Sequence, residues 1–208
     1  MWTWTLNWDE IRPDIIIGSC PREPGDIDKI HEKAAPGAIL CLQHDACLAH
    51  FRIRHSALAE KAKEHGITLI RAPMLDFNTE DQRRNLPQAI RALYHARTRH
   101  GRTYVHCTAG INRASLVVMA YMILVESYKP DEVLSLIREK RATAEPDMEA
   151  FRGFLEDLTH KYRPAIEESA YHYYEKDDRG AGKNWERAAK DIFREKILPE
   201  PDGRGPAP

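Results

Sequence analysis

The alternation of short apolar runs with stretches of helical spacing limits this chain to few folds. Runs rich in β-branched residues end in turns and predict strands at 14–20, 37–43, 67–74 and 103–107. Helical spacing between and after them predicts helices at 26–34, 47–65, 80–100, 113–128, 130–141 and 146–161. Because such alternation is typical of a mostly parallel sheet flanked by helices, we expect an α/β fold.

Length and charge narrow the possibilities further. The chain has 208 residues, 42% hydrophobic and 30% charged, which suits one globular domain with a sizeable core. The formal net charge of −1 provides no overall attraction to nucleic acid, and no apolar run approaches the roughly 20 residues of a membrane span. We expect no nucleic-acid partner and no membrane insertion, so any attraction for phosphate must be local.

The stretch YVHCTAGINRASLVVMAYMI, residues 104–123, carries a histidine, a cysteine, a glycine and an arginine between two apolar runs. A predicted strand ends at Cys107, and the next predicted helix begins at Arg113. A thiol in this position faces backbone N–H groups and the positive end of the helix dipole, which favour its thiolate form. Cys107 is therefore the candidate nucleophile.

The residues after Cys107 have the composition of a phosphate site. Backbone N–H groups at a helix N-terminus bind anions, and a glycine allows the backbone to approach phosphate oxygens closely. Arg113 can make two parallel hydrogen bonds to phosphate and stabilise charge on the transferring phosphoryl group. The predicted phosphate-binding residues are Thr108, Ala109, Gly110, Ile111 and Asn112. We expect His106 to orient this loop rather than to react.

Attack on a phosphate ester expels an alkoxide, which leaves poorly unless an acid protonates it. Asp76 lies in the loop after the third predicted strand and is the candidate acid, because strand ends of a parallel sheet share one edge. Glu80 and Asp81 are competitors, but they resemble first-turn residues of the following helix, where carboxylates stabilise the dipole.

The remaining cysteines carry less information. Cys20 and Cys41 lie in strand patterns and are interpreted as small buried hydrophobes. The chain does not begin with a secretory leader pattern, so we expect reduced thiols and a cytoplasmic location. No CxxC pair suggests zinc, and we expect neither a metal nor another cofactor.

At HCTAGINRA, residues 106–114, the chain resembles the cysteine-based dual-specificity phosphatases, whose signature is H-C-x-x-G-x-x-R. The T-A-G interior resembles the plant starch (phosphoglucan) phosphatases and laforin. Three segments are similar to that family's recognition segment, variable loop and acid-bearing loop: NWDEIRPDIIIGSCPREPGDIDKI, CLQHDACLAHFRI and RAPMLDFNTEDQR. The resemblance covers about residues 7–142 and implies a cysteine-phosphatase fold, with Cys107 as nucleophile, Arg113 as phosphate ligand and Asp76 as general acid.

Two departures from the family pattern lie beside the nucleophile. Asn112 and Ser115 replace a glycine and a proline, and since asparagine tolerates left-handed backbone, we expect Asn112 to preserve the loop shape. The segment KRATAEPDMEAF, residues 140–151, also lacks an aromatic residue that the plant enzymes carry there.

The rest of the chain resembles the plant member that lacks a starch-binding module, because NWERAAKDIFREKI, residues 184–197, is similar to its C-terminal helical motif. We expect a phosphatase domain over 1–162, a C-terminal helical motif packed on it over 163–198 and a disordered tail over 199–208. Plant relatives work in plastids, so the plastid stroma is the expected location if a transit peptide has been trimmed. We expect a monomer.

A glucan substrate requires aromatic platforms for its sugar rings. The family's aromatic positions correspond here to Trp8, His50, Phe51 and Phe77, the predicted glucan-binding residues. The first hypothesis is therefore a phosphatase acting on phosphorylated glucan. Two alternatives stay open: a protein or phospholipid phosphatase, which predicts a basic rim on the pocket, and a non-catalytic module that only binds phosphoglucan.

Overall fold

A computed structural model describes residues 4–199, in which five strands form one sheet. The strands are β1 Trp8–Arg12, β2 Ile15–Gly18, β3 Ala38–Gln43, β4 Thr68–Met74 and β5 Thr103–His106. Their order across the sheet is β1-β2-β5-β3-β4, and only the β1–β2 pair is antiparallel. The sheet is thus mostly parallel, as predicted, and β5 lies at its centre.

Eight helices of the described chain surround this sheet. They are α1 Pro24–Ala34, α2 Asp45–His50, α3 His55–Glu64, α4 Thr79–His100, α5 Arg113–Leu124, α6 Pro130–Lys140, α7 Met148–Asp177 and α8 Ala181–Ile197. Within residues 4–199, no helix combines the length and apolar character needed to cross a membrane.

Side chains alternate across the central strands and so build two cores. Leu40 and Val105 pack with α4 and α5 on one face, whereas Ile39 and Tyr104 pack with α1 and α3 on the other. Helix α5 is buried along its whole length, because it lies between the sheet and the helices that follow it. This packing holds the end of β5 and the start of α5, the two ends of the predicted phosphate loop, in a rigid layer.

The predicted helix over 47–65 is wrong, because the chain forms α2 and α3 with a turn between them. Arg52 has a left-handed φ of 55°, and the N–H of Ile53 donates to the carbonyl of Leu48 at 2.9 Å. Leu48, Ile53 and Leu58 are all buried in one core, at spacings that a continuous helix would not keep on one face. The turn returns them to that face.

The helix predicted over 146–161 also has different bounds in the structure. Helix α7 continues far beyond residue 161 and bends at Tyr162, whose φ of −113° and ψ of 18° interrupt the helical geometry two residues before Pro164. The predicted domain boundary falls at this bend. Phe193 of α8 is fully buried and packs edge-to-face on Phe154, with ring centroids 5.9 Å apart. The predicted tail lies outside the described residues, except for Pro199.

Candidate active site

The predicted nucleophile lies where the fold places ligands in parallel sheets. Cys107 follows the central strand β5, and α5 begins six residues later at Arg113. The carboxyl ends of β3 and β4 lie beside it and carry Gln43 and the loop with Asp76. The structure therefore brings Cys107, Arg113 and Asp76 together at one edge of the sheet.

The loop from Cys107 to Asn112 turns its carbonyl oxygens outward, where each of five accepts a hydrogen bond. His106 Nδ1 lies 3.0 Å from the Cys107 oxygen, and the N–H of Cys20 donates to Thr108 at 3.0 Å. Arg141 donates to the Ala109 and Gly110 carbonyls, and the N–H of Glu145 donates to Ile111. Among described residues, none accepts from the N–H groups of Thr108 to Asn112. These N–H groups are free for an anion.

Gly110 makes this loop possible. Its φ of 69° lies in the left-handed region that favours glycine, and a Cβ added there would collide with the carbonyl group of Gly18. Asn112, by contrast, has a φ of −97°, so the expectation of left-handed backbone at this position is wrong. Its side-chain amide instead donates to the Glu145 carbonyl at 3.0 Å, while the single hydroxyl proton of Ser115 can be shared between the carbonyls of Ile111 and Asn112.

Arg113 lies fully buried beneath the loop. Its Nη1 donates to the Met74 carbonyl at 2.9 Å, and its Nη2 donates to Thr108 Oγ1 at 3.1 Å. Burial lowers the pKa of this guanidinium, but the neighbouring Cys107 and Asp76 raise the pKa above its ordinary value overall. Arg113 is thus a permanent cation, and its buried Nε has no partner within the described chain.

Asp76 projects from the loop after β4 toward the same point. Its Oδ2 forms an ion pair with Arg113 Nη2 at 2.6 Å, and its side chain is 28% exposed. The competing carboxylates have different positions: Glu80 and Asp81 lie in the first turn of α4, and Asp81 accepts a hydrogen bond from the N–H of Leu75 at 2.6 Å. Asp76 is therefore the carboxylate of this loop that reaches the phosphate site.

His106, Cys20 and Cys41 are uncharged near neutral pH. Burial lowers the pKa of His106 to about 4, so the ring is neutral at physiological pH and can orient the Cys107 carbonyl without charge. Burial raises the pKa of Cys20 to about 12 and that of Cys41 to about 11. Both thiols stay protonated, in keeping with the interpretation of them as buried hydrophobes.

A cavity of about 790 Å³ opens above the loop. Three of the predicted glucan-binding residues line it together with Cys107 and Asp76: His50, Phe51 and Phe77. Phe77 is 96% exposed and has a left-handed φ of 53°, an unusual combination for a bulky apolar residue. No lysine or arginine is among the residues of the described chain that line this cavity.

Trp8 lies outside this cavity. It packs edge-to-face on Tyr104 at 6.1 Å and lines a second cavity of about 390 Å³ with Trp4 and two lysines, Lys29 and Lys33. The Arg22 guanidinium lies over the rings of both Trp4 and Phe51, at 5.2 and 5.9 Å from their centroids. The second cavity is thereby linked to the rim of the first.

Several residues that contact the loop or Arg113 are not predicted by the sequence patterns. Arg141 contacts two loop carbonyls, Gln43 Nε2 donates to Thr108 Oγ1 at 3.3 Å, and Cys47 Sγ accepts from Arg113 Nη1 at 3.5 Å. Within the described chain, no group of three or more histidine, cysteine or carboxylate side chains could hold a metal ion.

Comparison with protein families gives a match that covers this region. The family model described as "Dual specificity phosphatase, catalytic domain" matches residues 41–160, more than half of the chain.

Two curated relatives extend the similarity. The phosphoglucan phosphatase DSP4, amyloplastic, of Castanea sativa is 39% identical over 155 residues, covering 74% of this chain and 41% of the relative. Laforin of Mus musculus is 27% identical over 168 residues, covering 76% of this chain and 51% of laforin. The chain thus spans about half the length of these relatives.

Solved structures share the fold. The crystal structure of PTPMT1 in complex with PI(5)P matches with a TM-score of 0.58 at 17% identity, covering 71% of this chain and 91% of that chain. A structure of kinase associated phosphatase matches with a TM-score of 0.59 at 15% identity, covering 76% of this chain and 96% of that chain. At these identities the likeness concerns the fold alone.

Proposed function

Because the chain belongs to the dual specificity phosphatase family and is therefore a phosphoric monoester hydrolase, we propose that it removes phosphate from a glucan through a cysteinyl-phosphate intermediate. The family match confirms the resemblance drawn from the HCTAGINRA motif. The substrate and the role of each site residue are the proposed part.

In the first step, the Cys107 thiolate attacks phosphorus and the P–O bond to the sugar breaks. The N–H groups of residues 108–112 and the Arg113 guanidinium bind the phosphoryl oxygens and stabilise their charge. Asp76 gives its proton to the leaving sugar oxygen, which would otherwise depart as an alkoxide. The unpartnered Nε of Arg113 supports this arrangement, since a buried donor without an acceptor is costly and a phosphate oxygen satisfies it.

In the second step, water attacks the cysteinyl phosphate. The Asp76 carboxylate accepts a proton from this water, the S–P bond breaks, and inorganic phosphate leaves with the thiolate restored. The same carboxyl group serves both steps, so Asp76 must be protonated in the first and ionised in the second.

The lining of the main cavity carries the glucan assignment. The exposed Phe77, which directly follows the acid, lines this cavity together with His50 and Phe51, and these rings offer faces on which a pyranose can stack. Within the described chain no lysine or arginine lines this cavity, and Arg22 lies over Phe51 at its rim. This sparse positive charge disfavours a phosphoprotein or phosphoinositide substrate, because those ligands bring additional negative charge. The phosphoglucan phosphatase DSP4 of Castanea sativa, 39% identical, supports the same assignment.

Trp8 enters this proposal as part of a longer binding surface. Trp4 and Trp8 line the second cavity, and Arg22 connects it to Phe51 at the rim of the first. A glucan chain held by its phosphorylated unit above Cys107 can extend across Phe51 and Arg22 toward these tryptophans.

The test is phosphate release from solubilised phosphorylated amylopectin, a phosphotyrosine peptide, PI(5)P and p-nitrophenyl phosphate, with Cys107→Ser as the blank in every assay. The proposal predicts a kcat/KM for amylopectin well above those for the peptide and the lipid. Preference for the peptide or the lipid would overturn the glucan assignment. Binding of amylopectin without release of phosphate from any substrate would favour a non-catalytic module instead.

A further inference from the structure

Arg141 is a buried cation that does not line the catalytic cavity. Its side chain is 4% exposed, and it follows directly after α6. Nε donates to the Gly110 carbonyl at 2.7 Å, and Nη2 donates to the Ala109 carbonyl at 2.8 Å. On its other side, Nη1 pairs with Asp9 Oδ2 and Nη2 donates to Asn7 Oδ1, both at 2.7 Å. One guanidinium thus joins the phosphate loop to the N-terminal segment.

The planarity of the peptide bond gives these two loop contacts a consequence inside the site. The carbonyl of Ala109 and the N–H of Gly110 belong to one peptide plane and point in opposite directions, as do the carbonyl of Gly110 and the N–H of Ile111. When Arg141 holds both carbonyls outward, it turns the N–H groups of Gly110 and Ile111 toward the position of the phosphate. Loss of the guanidinium would remove the hydrogen bond that each of these two carbonyls accepts from Arg141.

The segment after Arg141 completes the same pattern. The N–H of Glu145 donates to the Ile111 carbonyl at 2.9 Å, which fixes the next peptide plane and the N–H of Asn112. Ala144 N–H donates to the Arg141 carbonyl at 2.9 Å, which holds this short segment as one turn. Three successive loop peptides are therefore oriented from residues 141–145.

Burial of the Arg141 guanidinium has a desolvation cost that an apolar side chain at this position would not have. Removing a guanidinium from water is costly unless every donor is paired, and here two backbone carbonyls, an amide and one carboxylate pair it. The carboxylate comes from Asp9, which lies 2.7 Å from Arg141 Nη1 and is 42% exposed, so solvent screens part of this attraction.

We propose that Arg141 is a positioning residue that preorganises the phosphate loop, and that Asn7 and Asp9 act through it. The proposal concerns the phosphate half of the site and does not depend on the glucan assignment. Arg141 touches neither substrate nor reacting atoms, so its effect must pass through the direction of the Gly110 and Ile111 N–H groups. The affinity of the site for oxyanions and its kcat should then depend on Arg141. The part of KM that arises from contacts with the organic group of a substrate should not depend on Arg141.

The decisive variant is Arg141→Met, which keeps an apolar side chain and removes the guanidinium group. We expect at least a tenfold weaker competitive inhibition by tungstate and at least a tenfold lower kcat for p-nitrophenyl phosphate. Arg141→Lys should restore only part of both, because an ammonium cannot hold two carbonyls in the geometry of a planar fork. Arg83→Met is the matched control, since Arg83 forms a two-fold hydrogen-bonded pair with Asp157 away from the loop.

A second variant protects the test against misfolding. Asp9→Asn leaves Arg141 in place and weakens its outer partner, so we expect a severalfold loss of tungstate affinity with the thermal midpoint nearly unchanged. If Arg141→Met does not fold, the Asp9→Asn result decides. The proposal is overturned if the folded Arg141→Met, or Asp9→Asn where Arg141→Met is unfolded, keeps its tungstate inhibition constant and kcat within twofold of the parent protein.

Discussion

At the scale of single residues, the Arg113–Asp76 ion pair joins the proposed phosphate ligand to the proposed acid. The 2.6 Å contact occupies the Nη2 position at which a phosphate oxygen would bind. Substrate binding must therefore separate the pair, which frees Asp76 to approach the leaving oxygen. In the proposed mechanism, the carboxylate neutralises the buried cation until a phosphate dianion replaces it, while Arg113 Nε has no partner within the described chain.

Asp76→Asn tests the acid directly. We expect kcat for phosphorylated amylopectin to fall by about 10²–10³, because the sugar alkoxide then leaves without a proton. The loss for p-nitrophenyl phosphate should be much smaller in a burst measurement of the first step, since nitrophenolate leaves unaided. Glu80→Gln, in the first turn of α4, is the control and should behave like the parent protein. Equal losses on both substrates would argue against an acid role.

Gly110→Ala tests the shape of the loop. Its positive φ and its contact with the Gly18 carbonyl leave no room for a methyl group, so we expect activity to fall below a hundredth of the parent value. Gly25→Ala is the matched control, because a Cβ there meets nothing within 4 Å. Steady-state kinetics with p-nitrophenyl phosphate measure both. Near-normal turnover by Gly110→Ala would show that the loop is not held in this conformation.

His106 gives the molecule a pH-dependent stability. Burial holds its pKa at about 4 in the folded chain, against 6.5 for an unperturbed ring. The unfolded chain therefore binds a proton that the folded chain does not, and stability falls as the pH drops from about 6.5 toward 4, by up to roughly 3 kcal/mol. Urea unfolding at pH 7 and pH 4.5 should show a smaller drop for His106→Asn than for the parent protein. An identical drop would remove His106 as the cause.

Local sequence predicts some of these residues and not others. Cys107, Arg113 and the location of Asp76 follow from the pattern of a strand, a loop and a helix, which is short-range information. Arg141 and Glu145 reach the loop only through the packing of α6 and the turn after it, over more than thirty positions of sequence. No local pattern records such a contact.

At the scale of elements, the strands and long helices follow the apolar periodicity closely, and the exceptions have physical causes. Strand β1 lacks alternation, because only Ile11 of its five residues is buried, so the sequence shows no strand there. The break between α2 and α3 depends on a left-handed residue, Arg52, that composition does not reveal. It brings His50 and Phe51 to the cavity rim.

The packing of helix α8 predicts how much the C-terminal motif contributes to stability. Phe193 is fully buried against Phe154 and belongs to the main core, so Phe193→Ala should lower the free energy of unfolding by about 3–5 kcal/mol in one transition. Tyr174→Ala on α7, where the side chain is 61% exposed, should change it by less than about 0.5 kcal/mol. Urea unfolding followed by circular dichroism measures both. A loss below 1 kcal/mol for Phe193→Ala would show that α8 is not packed as described.

At the scale of the whole molecule, one rigid sheet edge supports two different surfaces. The phosphate loop is preorganised by buried contacts, whereas the aromatic residues above it are exposed and linked through Arg22 to the N-terminal tryptophans. The family and the fold could be predicted from sequence, because motif and periodicity are both local. The division of the aromatic residues between two cavities could not be predicted from the sequence, because it depends on how β1 and α2 pack at the rim.

The most direct test of the glucan assignment is the ratio of kcat/KM for phosphorylated amylopectin to kcat/KM for p-nitrophenyl phosphate, measured for the parent protein, Phe77→Ala and the control Tyr174→Ala. Phe77 is exposed beside the acid and has no core to support, so its loss should not unfold the chain. We predict that Phe77→Ala lowers this ratio by roughly tenfold or more, with the small-ester activity kept. An unchanged ratio would contradict the glucan account.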